Sequence, residues 1–306
     1  MPDVSLDHRQ LESYLPHRGA NLMTDVVELN AERTHARSQT RIARNDARGR
    51  EIFGRTGAGG SILWYEPFLA ELMAVTGMPL LHERLVALGH VAVFSMISRL
   101  SFLRPVPLYG EVIGHATITR DRSGFTVFST HATVDGHKVL EAEVMSGSAS
   151  LASVGQSPIR PLVSARGGHA VEPGQFAWKS SGMRFLDSVI ESNAASGRLI
   201  GTYTYPHDHA FVPGHFPGTA VMMGVTQWAM VADAVWQARN AFGYTGGVLA
   251  QGVVRRQDGS EIIDVRDLLI ENDGGLPRIA TTKRLAFREP MRPGDGVLVE
   301  VTVKPA

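Results

Sequence analysis

The chain contains a second, divergent copy of itself. "LMTDVVEL" at 22–29 matches "RFLDSVIE" at 184–191, with Asp25 opposite Asp187. "REIFGRTGAGGSILWYEPFLAEL" at 50–72 matches "HAFVPGHFPGTAVMMGVTQWAMVADAV" at 209–235, and "SRLSFLRPVPLYGEV" at 98–112 matches "KRLAFREPMRPGDGV" at 283–297. Three blocks in one order in both halves indicate a duplicated domain, so the fold must be one that a second copy can pack against.

Each half reads as a short strand, a Gly-rich turn and an apolar helix, followed by alternating strands. The pattern predicts helices over about Ser61–Val75, with Ser61 as N-cap, and about Gly224–Asn240. "SMISRLSFLRP", "EVIGHATITRDR", "FTVFSTHATVDG" and "KVLEAEVMSGSASL" alternate with a period of two, and "VDGHK" signals a hairpin. A helix apolar nearly all round must be enclosed, which suggests an α+β unit with an antiparallel sheet wrapped around it. A length of 306 residues accommodates two such domains. The division expected is 1–152 and 179–306, joined by the Gly-, Pro- and Ser-rich segment 153–178.

Composition narrows the function. Thirty basic residues balance thirty acidic ones and there is no cysteine, which argues against nucleic-acid and membrane partners and excludes thiolate chemistry. The N-terminal "MPDVSLDHRQ" has no signal-peptide pattern, so a cytoplasmic location is expected.

"GHFPGTAVMMGV" at 214–225 closely resembles the active-site motif of the 3-hydroxyacyl-ACP dehydratases of bacterial fatty-acid synthesis. "LPHRGANLMTDVV" at 15–27 resembles that family's N-terminal block, and "LSFLRPVPLYGEV" with "ATVDGHKVLEAEV" resembles its later strands. The resemblance implies a hot-dog fold. A tandem copy implies a double hot-dog, with two antiparallel sheets each wrapped around a long central helix. It also implies dehydration of a 3-hydroxyacyl thioester to the 2-enoyl thioester in fatty-acid or polyketide-type synthesis. The substrate would be carried on phosphopantetheine of an acyl carrier protein or on CoA, with no further cofactor and no metal.

In that family a histidine of one hot-dog meets a carboxylate from the helix of the other. His215 fits the histidine, but the residue fourteen positions on is Ala229, which cannot ionise. The first half has no histidine in "FGRTGAGG", yet Glu66 falls near the acid position, with Glu71 as runner-up on another helix face. The resemblance thus implies one site per chain, built from His215 and Glu66. Gly224 is expected to offer its amide to the thioester oxygen, with Gly60 its counterpart, and Phe216 and Gly218 are expected around the substrate.

Other readings of the same residues exist. His207, His209 and His215 could hold a metal, since His-x-His on a strand places two imidazoles on one face. His17, Arg18 and Asp25 are expected in structural turn roles. "GRTGAGGS" lacks the lysine of a phosphate loop, and no Gly-x-Ser-x-Gly elbow occurs. Pro67 should kink the first helix. The second half has only nineteen residues after Phe287, so its sheet is expected to lack its last strands. The resulting edge would need cover from residues 153–178, a homodimer mate or a partner subunit. These two features support an alternative non-catalytic acyl-binding or scaffold role. A thioesterase on the same fold is the other alternative. Arg99, Arg104, Arg284 and Arg288 could face an acidic carrier.

Overall fold

The computed structural model describes residues 4–122, 124–150 and 167–306. In the first half, β1 (Val4–Asp7) leads to α1 (His8–Tyr14), β2 (Val26–Leu29), β3 (His35–Arg41) and the small hairpin β4 (Gly54–Thr56) and β5 (Ile62–Trp64). Helix α2 (Glu66–Gly77) and a short α3 (His82–Val86) precede four long strands, β6 (His90–Phe102), β7 (Glu111–Arg122), β8 (Phe125–Val134) and β9 (His137–Ser150). The second half runs through β10 (His169–Ala170), β11 (Ser188–Asn193), β12 (Arg198–Thr204) and α4 (Gly224–Ala241). It ends with β13 (Val248–Arg256), β14 (Glu261–Asp273), β15 (Leu276–Thr282), β16 (Arg284–Phe287) and β17 (Gly296–Pro305).

Both long helices are enclosed, as their composition requires: every residue of α2 is buried, and so are fourteen residues of α4. They pack against each other under the strands. The expected pair of sheets is instead one. Among the described residues fifteen strands form a continuous antiparallel sheet, because β6 pairs with β9 on one side and with β15 and β16 on the other. The halves also share one core: Trp228 of α4 stacks on Phe102, and Phe68 of α2 meets Phe211 edge-on.

The repeat is visible in individual bonds. Asp25 accepts the Arg41 amide at 2.7 Å and Asp187 accepts the Thr204 amide at 2.8 Å, each at the last residue of the equivalent strand. These aspartates pin the turn that enters each half, the structural role expected of Asp25.

The expected missing strands are present, and they come from an earlier part of the chain. β17 lies between β12 and β13, just as β7 lies between β3 and β8. Hairpin β13–β14 therefore occupies the places that β8 and β9 fill in the first half, although it precedes β16 in sequence. Antiparallel position is set by pairing rather than chain order, so a permuted hairpin completes the sheet as well as a C-terminal one. The edge that would have needed a covering partner does not exist. The segment called a linker contributes too: His169–Ala170 pairs with β11, as β1 pairs with β2. Residues 153–166 lie outside the described residues.

Pro67 does not kink α2. The helix begins at Glu66 with Tyr65 as its cap residue rather than Ser61, so the proline sits in the first turn, where no intrahelical amide bond is lost. No helix among the described residues is long and apolar enough to cross a membrane.

Candidate functional site

His215 follows the turn at Pro213–Gly214 and sits beside the start of α4. Its Nδ1 lies 2.8 Å from the carbonyl oxygen of Val221. A carbonyl can only accept, so Nδ1 carries the proton and Nε2 keeps its lone pair. Burial lowers the His215 pKa to about 4, opposed by that hydrogen bond, so the ring is neutral near pH 7. Phe216 stacks on the imidazole at 4.5 Å with an 18° tilt. Its φ of 60° is a left-handed conformation that costs on the order of 1–3 kcal/mol for a non-glycine residue.

The N-terminal block of the other half holds this loop in place. His17 and His215 form a backbone bridge, the Arg18 amide donates to Gly214 at 2.8 Å, and Asn21 Nδ2 donates to the Phe211 carbonyl at 3.2 Å. A Cβ on Gly214 would lie 2.2 Å from both the Arg18 carbonyl oxygen and Asn21 Nδ2. Gly214→Ala is therefore expected to push the two segments apart. The expected result is a loss of about 1–3 kcal/mol in denaturant unfolding, together with loss of activity. A fully stable and active variant would rule out this docking.

The carboxylate that faces His215 is Glu71, not Glu66. His17, Glu71 and His215 are all buried, with ligand-type atoms within 4.8 Å of one another, and all three line a cavity of about 380 Å³. Burial raises the Glu71 pKa to about 7. Glu66 is engaged elsewhere: Arg55 Nε donates to its two carboxylate oxygens at 3.1 and 3.0 Å, and Nη2 reaches Oε1 as well. Glu66 falls near the acid position only when Gly60 is matched to Gly224, but α2 begins six residues after Gly60 whereas α4 begins at Gly224 itself. From Arg55, the counterpart of His215, to the first residue of α2 is eleven positions, whereas from His215 to the first residue of α4 is nine. The β4–β5 hairpin adds the extra two. Measured from the helix starts, Glu66 matches Gly224 and Glu71 matches Ala229.

The rest of the cavity is mostly apolar, with Met78, Phe94, Val221, Met222 and Phe287 among its walls and Arg288 and Arg292 at one side. Gly224 lines it as the first residue of α4. Its amide and that of Val225 begin the helix and have no carbonyl one turn back. A Cβ on Gly224 would lie 2.7 Å from the Phe287 ring, so glycine leaves room for this wall. Gly218 forms the turn after Phe216 with φ +81°, while Gly60 sits exposed in the turn Ala58–Gly60. Gly60 is therefore not the partner of Gly224. Arg288 reaches the cavity, whereas Arg99, Arg104 and Arg284 are exposed on or near β6 and β16.

The mirror position is filled with charge. His17 and Lys179 each lie eight residues before the paired aspartates, and the bridge His17–His215 is matched by a bridge Arg55–Lys179. Where the first cluster opens on a cavity, the second holds Lys179 Nζ 2.7 Å from Asp233, surrounded by Tyr65, Phe176, Trp178 and Phe185, with the Arg55–Glu66 pair beside it. Both members of the Lys179–Asp233 pair have fully buried side chains. The His-x-His reading also fails here. His207 and His209 lie in a turn, and His209 Nε2–H donates to the Gly182 carbonyl while Nδ1 accepts the Phe211 amide.

No family model and no curated protein matches the chain. Solved structures that resemble part of it include a mutant thioesterase from Pseudomonas aeruginosa, at 15% identity over 49% of this chain and 99% of that one, with a TM-score of 0.37. A dehydratase heterocomplex from Xenorhabdus doucetiae matches at 11% identity over 46% and 92%, also at 0.37. A thioesterase from Haemophilus influenzae matches at 18% over 41% and 79%, at 0.30. Each match spans less than half of this chain.

Proposed function

We propose that the chain is a tandem hot-dog enzyme with one site, which dehydrates 3-hydroxyacyl thioesters carried on phosphopantetheine of an acyl carrier protein or on CoA. The observation that carries this reading is the convergence of His215 and Glu71, from opposite halves, on one apolar cavity beside the start of α4. Neutral His215 Nε2 takes the proton from the carbon beside the carbonyl. The electron pair of that C–H bond becomes the new double bond, and the C–O bond to the hydroxyl breaks. Glu71, held as the acid by its burial, gives its proton to the departing oxygen, which leaves as water. The thioester oxygen, negative in the transition state, faces the amides of Gly224 and Val225 at the positive end of the helix dipole. A return of the proton from His215 to Glu71 through solvent resets the site.

The two features that supported a non-catalytic role are gone, since α2 starts at Pro67's turn without a kink and the second sheet has all its strand positions filled. Incubation with a 3-hydroxyacyl carrier-protein thioester is expected to yield the 2-enoyl thioester. Release of free thiol and acid instead would identify a thioesterase. The pH profile of kcat/KM offers a second test. The base works only when neutral and the acid only when protonated, so activity should rise as pH climbs through about 4 and fall as it climbs through about 7. A rate that increases steadily above pH 7 would contradict Glu71 as the proton donor.

A further inference from the structure

We infer that His17, Glu71 and His215 form a binding site for a divalent transition metal of the zinc class, and that metal held there blocks the reaction. The metal binding stands on geometry alone. The block rests on the functional reading above.

The three side chains come from three separate parts of the chain: the N-terminal block, α2 and the loop before α4. They are buried to 1%, 2% and 7% exposure. Neither nitrogen of His17 has a hydrogen-bond partner, and Glu71 Oε2 has none. Buried polar atoms without partners are costly, and one nitrogen of His17 with a carboxylate oxygen of Glu71 and the free nitrogen of His215 lie close enough for a single ligand to bind all three. The groups do not satisfy each other, since His17 Nε2 and Glu71 Oε1 are 3.9 Å apart, beyond hydrogen-bond reach. What they share is a common gap that their lone pairs border. His215 is also prepared as a ligand, because the Val221 carbonyl holds Nδ1–H and leaves Nε2 directed away from it.

Two imidazoles and one carboxylate, with a cavity as the open position, are a donor set suited to zinc and cobalt(II) rather than to magnesium or calcium, which seek oxygen cages. Bonds of about 2.0–2.2 Å need ligand atoms about 3.4 Å apart, which side-chain rotations of about an ångström would achieve. A metal on His215 Nε2 takes the lone pair that would accept the substrate proton.

The test uses the full chain titrated with cobalt(II) at about pH 7.5, where imidazole lone pairs are available. One cobalt per chain with visible ligand-field bands, displaced by zinc, is expected. His17→Asn should weaken binding by at least about tenfold, and His207→Asn, in the exposed His-x-His turn, should leave it unchanged. Absence of binding overturns the site, and so does binding that survives His17→Asn but is lost with His207→Asn. Should His17→Asn fail to fold, X-ray absorption on the zinc-loaded wild-type chain replaces it. Two imidazoles in the metal shell support the site, and fewer overturn it. Zinc should also stop dehydration, with a chelator restoring it. Metal bound at these residues without inhibition would sustain the site and refute His215 as the base, so the two readings fail separately.

Discussion

Replacing Glu71 with glutamine is expected to lower the dehydration rate by about 10²–10⁴-fold, the usual worth of a positioned proton donor, with little change in thermal stability. Glutamine keeps the shape of the side chain and cannot give up a proton. Glu66→Gln should behave in the opposite way. It leaves the Arg55 guanidinium buried without its anion, a loss of about 3–5 kcal/mol in unfolding free energy, while the site beside His215 keeps its geometry. Steady-state rates and denaturant unfolding on the two variants separate the roles. Normal turnover by Glu71→Gln, with turnover abolished in a stably folded Glu66→Gln, would reverse the assignment made here.

The second large effect concerns the mirror cluster. Lys179→Met should destabilise the fold by about 3–5 kcal/mol, because among the described residues the buried Asp233 would keep only the Phe185 amide as a hydrogen-bond donor. Removing both charges, as Lys179→Met with Asp233→Leu, should recover most of that loss, since a buried pair contributes little beyond what well-packed apolar side chains would. The double variant should also retain activity, because the reacting groups lie at the other cluster. Equilibrium unfolding of the two single variants and the double one gives the coupling directly. A cost below about 1 kcal/mol for Lys179→Met would show that the pair does not hold this end of the molecule together.

Much of this was legible in the residues themselves. The triple repeat indicated duplication, the uniformly apolar helices indicated that both would be enclosed, and the loop of His215 stood out by its glycines and prolines. The turn "VDGHK" closes the β8–β9 hairpin with both Asp135 and Gly136 at positive φ, as such turns require. These features are local or periodic, so the linear order of residues carries them.

What the tertiary structure decided were the relations between distant segments. The acid could not be chosen by counting, because α2 starts six residues after Gly60 whereas α4 starts at Gly224 itself, and only the helix starts give the register that matches Glu71 with Ala229. The strand hairpin at 248–273 carried its own signals, alternating residues and the turn "QDGS". Its place in the sheet, however, depends on which strand it pairs with rather than on where it falls in the chain. His17 looked like a turn residue and is one, through its backbone bridge to His215. Only the packing of one half on the other brings its imidazole and Glu71 to the same gap as His215. Local pattern determines which elements form, whereas the partners of a buried side chain are set by contacts across some two hundred residues of sequence, and those follow from how the two copies fit together.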